Sequence, residues 1–358
     1  MTVVAADVLR PAASLAGTLN LPSDKSIAHR ALICAALALG QSTITLRQPG
    51  EDVWSTIGAL RSLGVEIRVV GRGEDLQVAV NGLGKHRSLG RLDSGEADCG
   101  NSGTSMRLLA GALASGFGAT RLTGDESLSG RPMERVAAPL REMGADIELT
   151  DGHAPVTVRG RRPLRALEHK LPIASAQVLG AIGLAALATD GVTTIRVPGL
   201  VRDHTERMLS ALGADVERVT DSVGSATIVN GPSGLRAFEL KVPGDFSAAS
   251  AWLVAAAIHA KGEIRVVDVN LNATRIALLD VLRAMGADIT AIVVEERLGE
   301  PIGEIVVRGG AQLREISLGP GDVAPLIDEL PLVAVAMASA TGTSEVRGAG
   351  ELRVKESD

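Results

Sequence analysis

Lys25, Ser26 and Arg30 fall within the first turns of a helix that the stretch 22–40 predicts. Pro22 and Ser23 read as a loop, and Ser23 or Asp24 can cap the helix because a short side-chain oxygen accepts from its free N–H groups. A small, apolar body follows and ends near Gly40. A helix N-terminus offers unpaired N–H groups and a partial positive charge. Lysine, serine and arginine placed there suit a multiply charged anion, a phosphate or a carboxylate. The same residues fit an ordinary amphipathic helix with solvated cations equally well.

Polar loops open further Ala-rich helices. In the run from Cys99 to Arg107, Gly100 and Gly103 allow close backbone approach, and Asn101, Ser102 and Thr104 can cap a helix. The run is an anion cradle with Arg107 nearby, or a capped helix; it is not a Walker loop, because no Gly-Lys-Ser/Thr follows. Ser175-Ala176-Gln177, Pro243-Gly244-Asp245 and Pro325-Leu326-Ile327-Asp328-Glu329 stand in the same place before later helices. Asp328 is a candidate general base, or a negative charge at a helix start. Arg131, between Gly130 and Pro132, is held in a rigid turn that suits a bidentate contact, or is a plain exposed arginine. The six histidines show no metal-ligand spacing; His29 and His204 read as helix-surface residues, and Trp54 and Trp252 as packing residues.

The elements that must position these residues are constrained by composition. A chain of 358 residues is too long for one core, so two domains are expected. Hydrophobic residues make up 46% but aromatics only 1%, so the cores must be built from Ala, Val, Leu and Ile. A net charge of -6 argues against nucleic-acid binding, and any anion site must be a local basic pocket. Cys34 and Cys99 exclude a disulfide framework and a Cys-rich metal site; they read as two buried thiols, with a single bridge as the alternative. The start of the chain has no cationic segment followed by an apolar block, and runs such as 31–39 are too short to span a bilayer. The expectation is a cytoplasmic, soluble protein with no membrane partner.

Self-comparison shows a repeat. A polar-capped helix ends in a Leu-Gly or Met-Gly turn and leads into a strand, with turn glycines Gly64, Gly144, Gly213 and Gly286 roughly 70 to 80 residues apart. An Ala-rich helix, a Gly-containing turn and a Thr/Val/Ile strand alternate with it, in 25–46, 103–122, 175–197, 246–267 and 328–346. This predicts an α/β fold of two helices and their strands per repeat. The fifth Ala-rich copy has no following Gly-Ala helix, so the pattern predicts a C-terminally truncated chain lacking on the order of a hundred residues.

Assembled, the stretches Asp24–Ala31, Gly100–Arg107, Ser127–Met133, Ala174–Gln177, Arg202–Met208, Pro243–Asp245 and Leu352–Asp358 resemble, in this order, the 5-enolpyruvylshikimate-3-phosphate synthase family. The resemblance covers about 15–358 and implies two domains of three βαβαββ units each, an inside-out α/β barrel whose cleft closes on substrate, with the last units incomplete here. It places 1–20 as a first strand belonging to the C-terminal domain, 21–236 as the N-terminal domain and 237–358 as an incomplete C-terminal domain. The implied reaction transfers the enolpyruvyl group of phosphoenolpyruvate to the 5-hydroxyl of shikimate 3-phosphate and releases phosphate, with no metal or organic cofactor.

By the same resemblance, Ser26, Arg30, Ser175, Gln177, Asp328 and Lys355 contact shikimate 3-phosphate, and Ala176 serves through its backbone alone. Lys25, Gly103, Arg131 and Gln177 contact phosphoenolpyruvate. Asp328 is the implied base toward the 5-hydroxyl, Glu356 the proton-transfer partner at the enolpyruvyl methylene, and Lys25 the balance of substrate charge. Val201 stands where a phosphate-binding Ser is common, and Glu351 where some members have Asn. The cations that follow Lys-Glu-Ser-Asp in the family have no counterpart before the chain ends, so the expectation is little or no turnover. Gly103, in place of the Ala of tolerant members, implies sensitivity to the inhibitor glyphosate. Two rival readings are the related transferase acting on UDP-N-acetylglucosamine, whose loop cysteine has no counterpart at Ser127–Pro132, and a non-catalytic shikimate-phosphate-binding module.

Overall fold

Gly64, Gly144, Gly213 and Gly286 take φ of 87°, 99°, 97° and 103°, the left-handed position that ends a helix and turns the chain into a strand. These four turns mark four copies of one repeat in the computed structural model, which describes residues 12–71, 74–84, 89, 95–116, 118–220 and 224–354. The chain opens with β1 (Gly17–Asn20). The first repeat is α1 (Lys25–Leu37), β2 (Leu39–Arg47), α2 (Glu51–Ser62), β3 (Glu66–Val70) and β4 (Asp75–Leu83). The second is β5 (Gly95–Asp98), α3 (Gly103–Ala114), β6 (Ala119–Thr123), the one-turn α4 (Glu126–Ser129), α5 (Glu134–Glu142), β7 (Asp146–Thr150) and β8 (His153–Arg159). The third is β9 (Glu168–Lys170), α6 (Ala176–Ala186), β10 (Gly191–Pro198), α7 (His204–Ala211), β11 (Asp215–Thr220) and β12 (Gly224–Gly231), followed by β13 (Glu239–Lys241). The fourth is α8 (Phe246–Ile258), β14 (Glu263–Asn270), α9 (Ala277–Ala284), β15 (Asp288–Arg297) and β16 (Glu300–Arg308). A fifth copy begins with β17 (Ser317–Leu318), α10 (Pro320–Leu326), α11 (Leu330–Ala338) and β18 (Glu345–Val346).

Each full repeat makes one four-stranded sheet with one plan: β13-β2-β4-β3, β5-β6-β8-β7, β9-β10-β12-β11 and β1-β14-β16-β15. The short edge strand pairs parallel with the strand after the Ala-rich helix. That strand then joins an antiparallel pair in the first three sheets. The first and fourth repeats borrow their edge strands: β13 pairs with β2 from nearly two hundred residues away, and β1 pairs with β14. In the fifth copy β17 pairs parallel with β18, as an edge strand and its neighbour do.

Two compact units result. The larger contains Pro22–Asp245 and Glu295–Ile302; the smaller contains the described residues up to Leu21, Phe246–Val294 and those from Gly303 on. The resemblance puts a domain boundary at 236; β13 completes the sheet of the first repeat, and the larger compact unit runs on to Asp245. In the larger unit the Ala-rich helices α1, α3 and α6 are buried on nearly every side beyond their polar first turns, and their bodies are apolar, as such helices must be. With few aromatics available, they pack by close approach. A methyl on Gly111 would lie 2.1 Å from the carbonyl oxygen of Ala181, so α3 and α6 touch through a glycine. Among the described residues no helix is long and apolar enough to cross a membrane.

Four sequence-based assignments are corrected. His29 and His204 are fully buried rather than on helix surfaces, because each has a polar partner from another element. Trp54 and Trp252 are 40% and 44% exposed, since Val53 and Ile57 on α2, and Leu253 and Ala256 on α8, take the inward positions. α1 does end near Gly40, at Leu37, with Ala38 extended and Gly40 already in β2.

Candidate functional site

The capping oxygen of α1 is that of Asp24, whose Oδ1 accepts from the Ile27 N–H at 2.9 Å. Lys25 follows, exposed, with its Nζ paired to Asp52 of α2 and its backbone N–H donating to Asp245 Oδ2 at 3.3 Å. Burial alone would raise the Asp52 carboxyl, but His29 and Lys25 beside it hold it well below the usual carboxylate range. His29 lies fully buried behind this pair, its Nε2 3.7 Å from Asp52 Oδ2. Burial pushes its imidazole below the ordinary value despite the carboxylate. Its Nδ1 is 2.7 Å from Thr56 Oγ1, which is hydrogen-bonded to Ser105 Oγ, which is 2.7 Å from Ser102 Oγ. A line of side chains, buried behind the exposed lysine, therefore runs from α1 to the cap of α3.

Ser102 caps α3 by accepting from the Ser105 N–H. Gly103 comes next, and a methyl there would lie 2.7 Å from Arg107 Nη1 and 3.4 Å from Arg131 Nη1. The glycine thus leaves both guanidiniums against bare backbone. Arg107 Nη1 donates to Gln177 Oε1 at 2.6 Å, and Gln177 Nε2 donates to Thr104 Oγ1 at 2.9 Å. Gln177 enters from α6, whose cap is Ser175 accepting from the Val178 N–H, with Ala176 as its first residue. Gly103, Arg131 and Gln177, three loops apart in sequence, share one spot, with the cap of α3 tied to Lys25.

Arg30 lies one turn further into α1 and is almost wholly buried. Its Nε donates to Thr205 Oγ1 at 2.7 Å and its Nη1 to the Ser26 carbonyl at 3.0 Å. Burial draws its pKa down, against the charges of Glu206, Asp24 and Glu300. Val201, before α7, is buried and apolar. Asp328 belongs to the smaller unit, in the turn between α10 and α11, with Arg275 Nη1 3.7 Å from its Oδ2. Ser247 accepts from Arg275 Nη2 at 2.7 Å and donates to Glu329 Oε1 at 2.6 Å. Lys355 and Glu356 lie outside the described residues.

The larger unit therefore carries Lys25, Ser26, Arg30, Gly103, Arg131, Ser175, Ala176 and Gln177. Asp52, Thr56, Ser105 and Arg275 are additional participants that sequence reasoning did not single out. Asp52, Thr56 and Ser105 are ordinary polar residues of α2 and α3, and Arg275 stands in the turn before α9, so nothing in their local sequence marks them.

This repeat of βαβαββ units, with cations gathered at the N-termini of buried Ala-rich helices, is the architecture of an enolpyruvyl transferase. The enolpyruvyl transferase NikO of Streptomyces tendae shares the fold, with a TM-score of 0.69 at 21% identity over 93% of this chain and 75% of that one. The chain belongs to the EPSP synthase (3-phosphoshikimate 1-carboxyvinyltransferase) family, whose pattern matches residues 9–358. It is 47% identical to the 3-phosphoshikimate 1-carboxyvinyltransferase of Salinibacter ruber, covering 97% of this chain and 79% of that protein. It is 46% identical to the enzyme of that name from Gloeobacter violaceus, at 98% and 79% coverage. The solved EPSP synthase of Acinetobacter baumannii superposes with a TM-score of 0.84 at 39% identity, over 96% of this chain and 76% of that one.

Proposed function

We infer that this chain transfers the enolpyruvyl group of phosphoenolpyruvate to the 5-hydroxyl of shikimate 3-phosphate and releases phosphate. The observation that carries the reading is the convergence of Gly103, Arg131 and Gln177, tied through Ser102, Ser105, Thr56 and His29 to Asp52 and Lys25. Two anionic substrates need several cations, and a protein of net charge -6 supplies them locally. Lys25, Gly103, Arg131 and Gln177 take phosphoenolpyruvate, Lys25 balancing its charge. Ser26, Arg30, Ser175 and Gln177, with the Ala176 backbone and Lys355, take shikimate 3-phosphate. Asp328, oriented by Arg275, accepts the proton of the 5-hydroxyl as it attacks the enolpyruvyl carbon. Glu356 serves the methylene, which gains a proton in the tetrahedral adduct and loses it as phosphate departs. Preorganised charge lowers the barrier to both steps.

Neither cysteine competes for a role in this chemistry. Cys34 and Cys99 are buried, and burial pushes both thiols up to about 12. The two compact units are read as the two domains, and the working form as a cytoplasmic monomer without cofactor, nucleic acid or membrane. Sedimentation in the presence of both substrates tests the monomer.

Calorimetric titration of shikimate 3-phosphate against the purified chain tests the substrate, alongside phosphate release when phosphoenolpyruvate is added. Binding that Lys25→Ala weakens at least about tenfold supports the reading. A folded chain that ignores shikimate 3-phosphate but binds UDP-N-acetylglucosamine would overturn it.

A further inference from the structure

We propose that Thr205 is a positioning residue for substrate recognition: its hydroxyl sets the aim of the Arg30 guanidinium, and Gly180 keeps the space that the hydroxyl occupies. The proposal rests on the reading of Arg30 as a shikimate 3-phosphate contact. Arg30 (α1) is 4% exposed and Thr205 (α7) 3% exposed, and they meet through a 2.7 Å hydrogen bond from Nε to Oγ1. A second bond, from Nη1 to the Ser26 carbonyl, fixes the other side of the same guanidinium. A planar group held at Nε and at one terminal nitrogen has one orientation, so its remaining N–H groups point in one direction. Releasing Nε restores rotation of the fork and strands a buried charged donor.

The third element is α6. A methyl on Gly180 would stand 2.8 Å from Thr205 Oγ1 and 2.8 Å from Leu108 Cδ2. Glycine in a helix interior is unfavourable relative to alanine, and here it makes room for the hydroxyl between α6 and α7. Carboxylates cannot take over the hydroxyl's task without neutralising the cation. Glu206, Asp24 and Glu300 act on Arg30 through their charge, whereas Thr205 gives direction without removing charge.

The test is calorimetric titration of shikimate 3-phosphate against the full chain and its Thr205→Val, Thr205→Ser, Arg30→Met and Thr205→Val/Arg30→Met variants, with thermal unfolding recorded for each. Thr205→Val, which keeps the volume and removes the hydroxyl, should weaken binding roughly tenfold. Thr205→Ser, which restores the hydroxyl, should return binding to within about threefold of the parent. Adding Thr205→Val to Arg30→Met should change affinity no further, because the threonine acts only through the arginine. If Thr205→Val fails to fold, Thr205→Ala gives the same comparison. Equal weakening in both backgrounds, or weakening by Thr205→Ser as large as by Thr205→Val, would overturn the proposal. Undiminished binding by Arg30→Met would instead overturn the reading of Arg30 on which the proposal stands.

Discussion

Gly103→Ala puts one methyl group where Arg107, Arg131 and Gln177 meet, and its effect can be worked from the distances. The new carbon would lie 2.7 Å from Arg107 Nη1, so the guanidinium must retreat about 0.7 Å to reach an ordinary 3.4 Å contact. Arg131 Nη1 already stands at 3.4 Å and need not move. Arg107 is 4% exposed, so its retreat comes at the expense of the 2.6 Å bond to Gln177 Oε1. A hydrogen bond from a charged donor contributes ~1.5–3 kcal/mol net. Losing half of it, ~1 kcal/mol, corresponds to about fivefold in affinity, and losing all of it to as much as a hundredfold. The expected result is phosphoenolpyruvate binding weakened by about five- to a hundredfold, measured by calorimetry at saturating shikimate 3-phosphate, with glyphosate weakened at least as much. In a Gln177→Leu background, where the bond is already gone, the same methyl should add little. Affinity unchanged within about twofold, or an equal loss in both backgrounds, would refute the argument.

Other outcomes are expected. Gly111→Ala should destabilise by ~1–3 kcal/mol in urea unfolding, because its methyl meets the Ala181 carbonyl at 2.1 Å, a backbone atom that cannot swing aside. Gly183→Ala, also inside a helix but with only Leu209 Cδ1 at 3.9 Å, should stabilise by ~0.5–1 kcal/mol in the same assay. The buried His29 binds a proton less readily than the unfolded chain does, so its contribution is intact above about pH 6.5 and is lost as pH falls below that value. His29→Leu should therefore flatten the fall of stability as pH drops below about 6.5, by up to ~1.4 kcal/mol per pH unit; an unaltered slope would rule this out. Buried Cys34 and Cys99 should resist a thiol reagent at pH 8 in the native protein and react on unfolding.

The repeat was legible because its marker is chemical: only glycine accepts the left-handed turn at Gly64, Gly144, Gly213 and Gly286 without penalty, so the same residue recurs. The edge strands were not, since β9 and β13 have three residues each and pair with strands that local patterning cannot name. The site divides in the same way. Ser102 and Ser175 announce themselves as helix caps, and the glycine beside Ser102 marks a backbone approach. The roles of Asp52, Thr56 and Ser105 are set by His29, and their shared burial depends on α1, α2 and α3 packing together. A histidine beside an arginine in the first turns of a helix looks like a surface residue until the element that covers it is known. Trp54 is the converse, a large apolar side chain left outside because α2 had already turned Val53 and Ile57 inward.

The borrowed edge strands carry a consequence for synthesis. The second and third repeats, from β5 to β12, are contiguous, and each can close its sheet as soon as it leaves the ribosome. The first cannot: one edge of β2, including Thr43 to Thr45, waits for Glu239 to Lys241. At roughly 5–20 residues per second, that gap of nearly two hundred residues leaves a strand edge unpaired for on the order of ten to forty seconds. β1 waits longer still for Ile264 to Val267. An unpaired edge is a template for wrong pairing. The nascent chain is therefore exposed along β1 and β2, and the sheet of the first repeat is complete only when the three residues of β13 arrive.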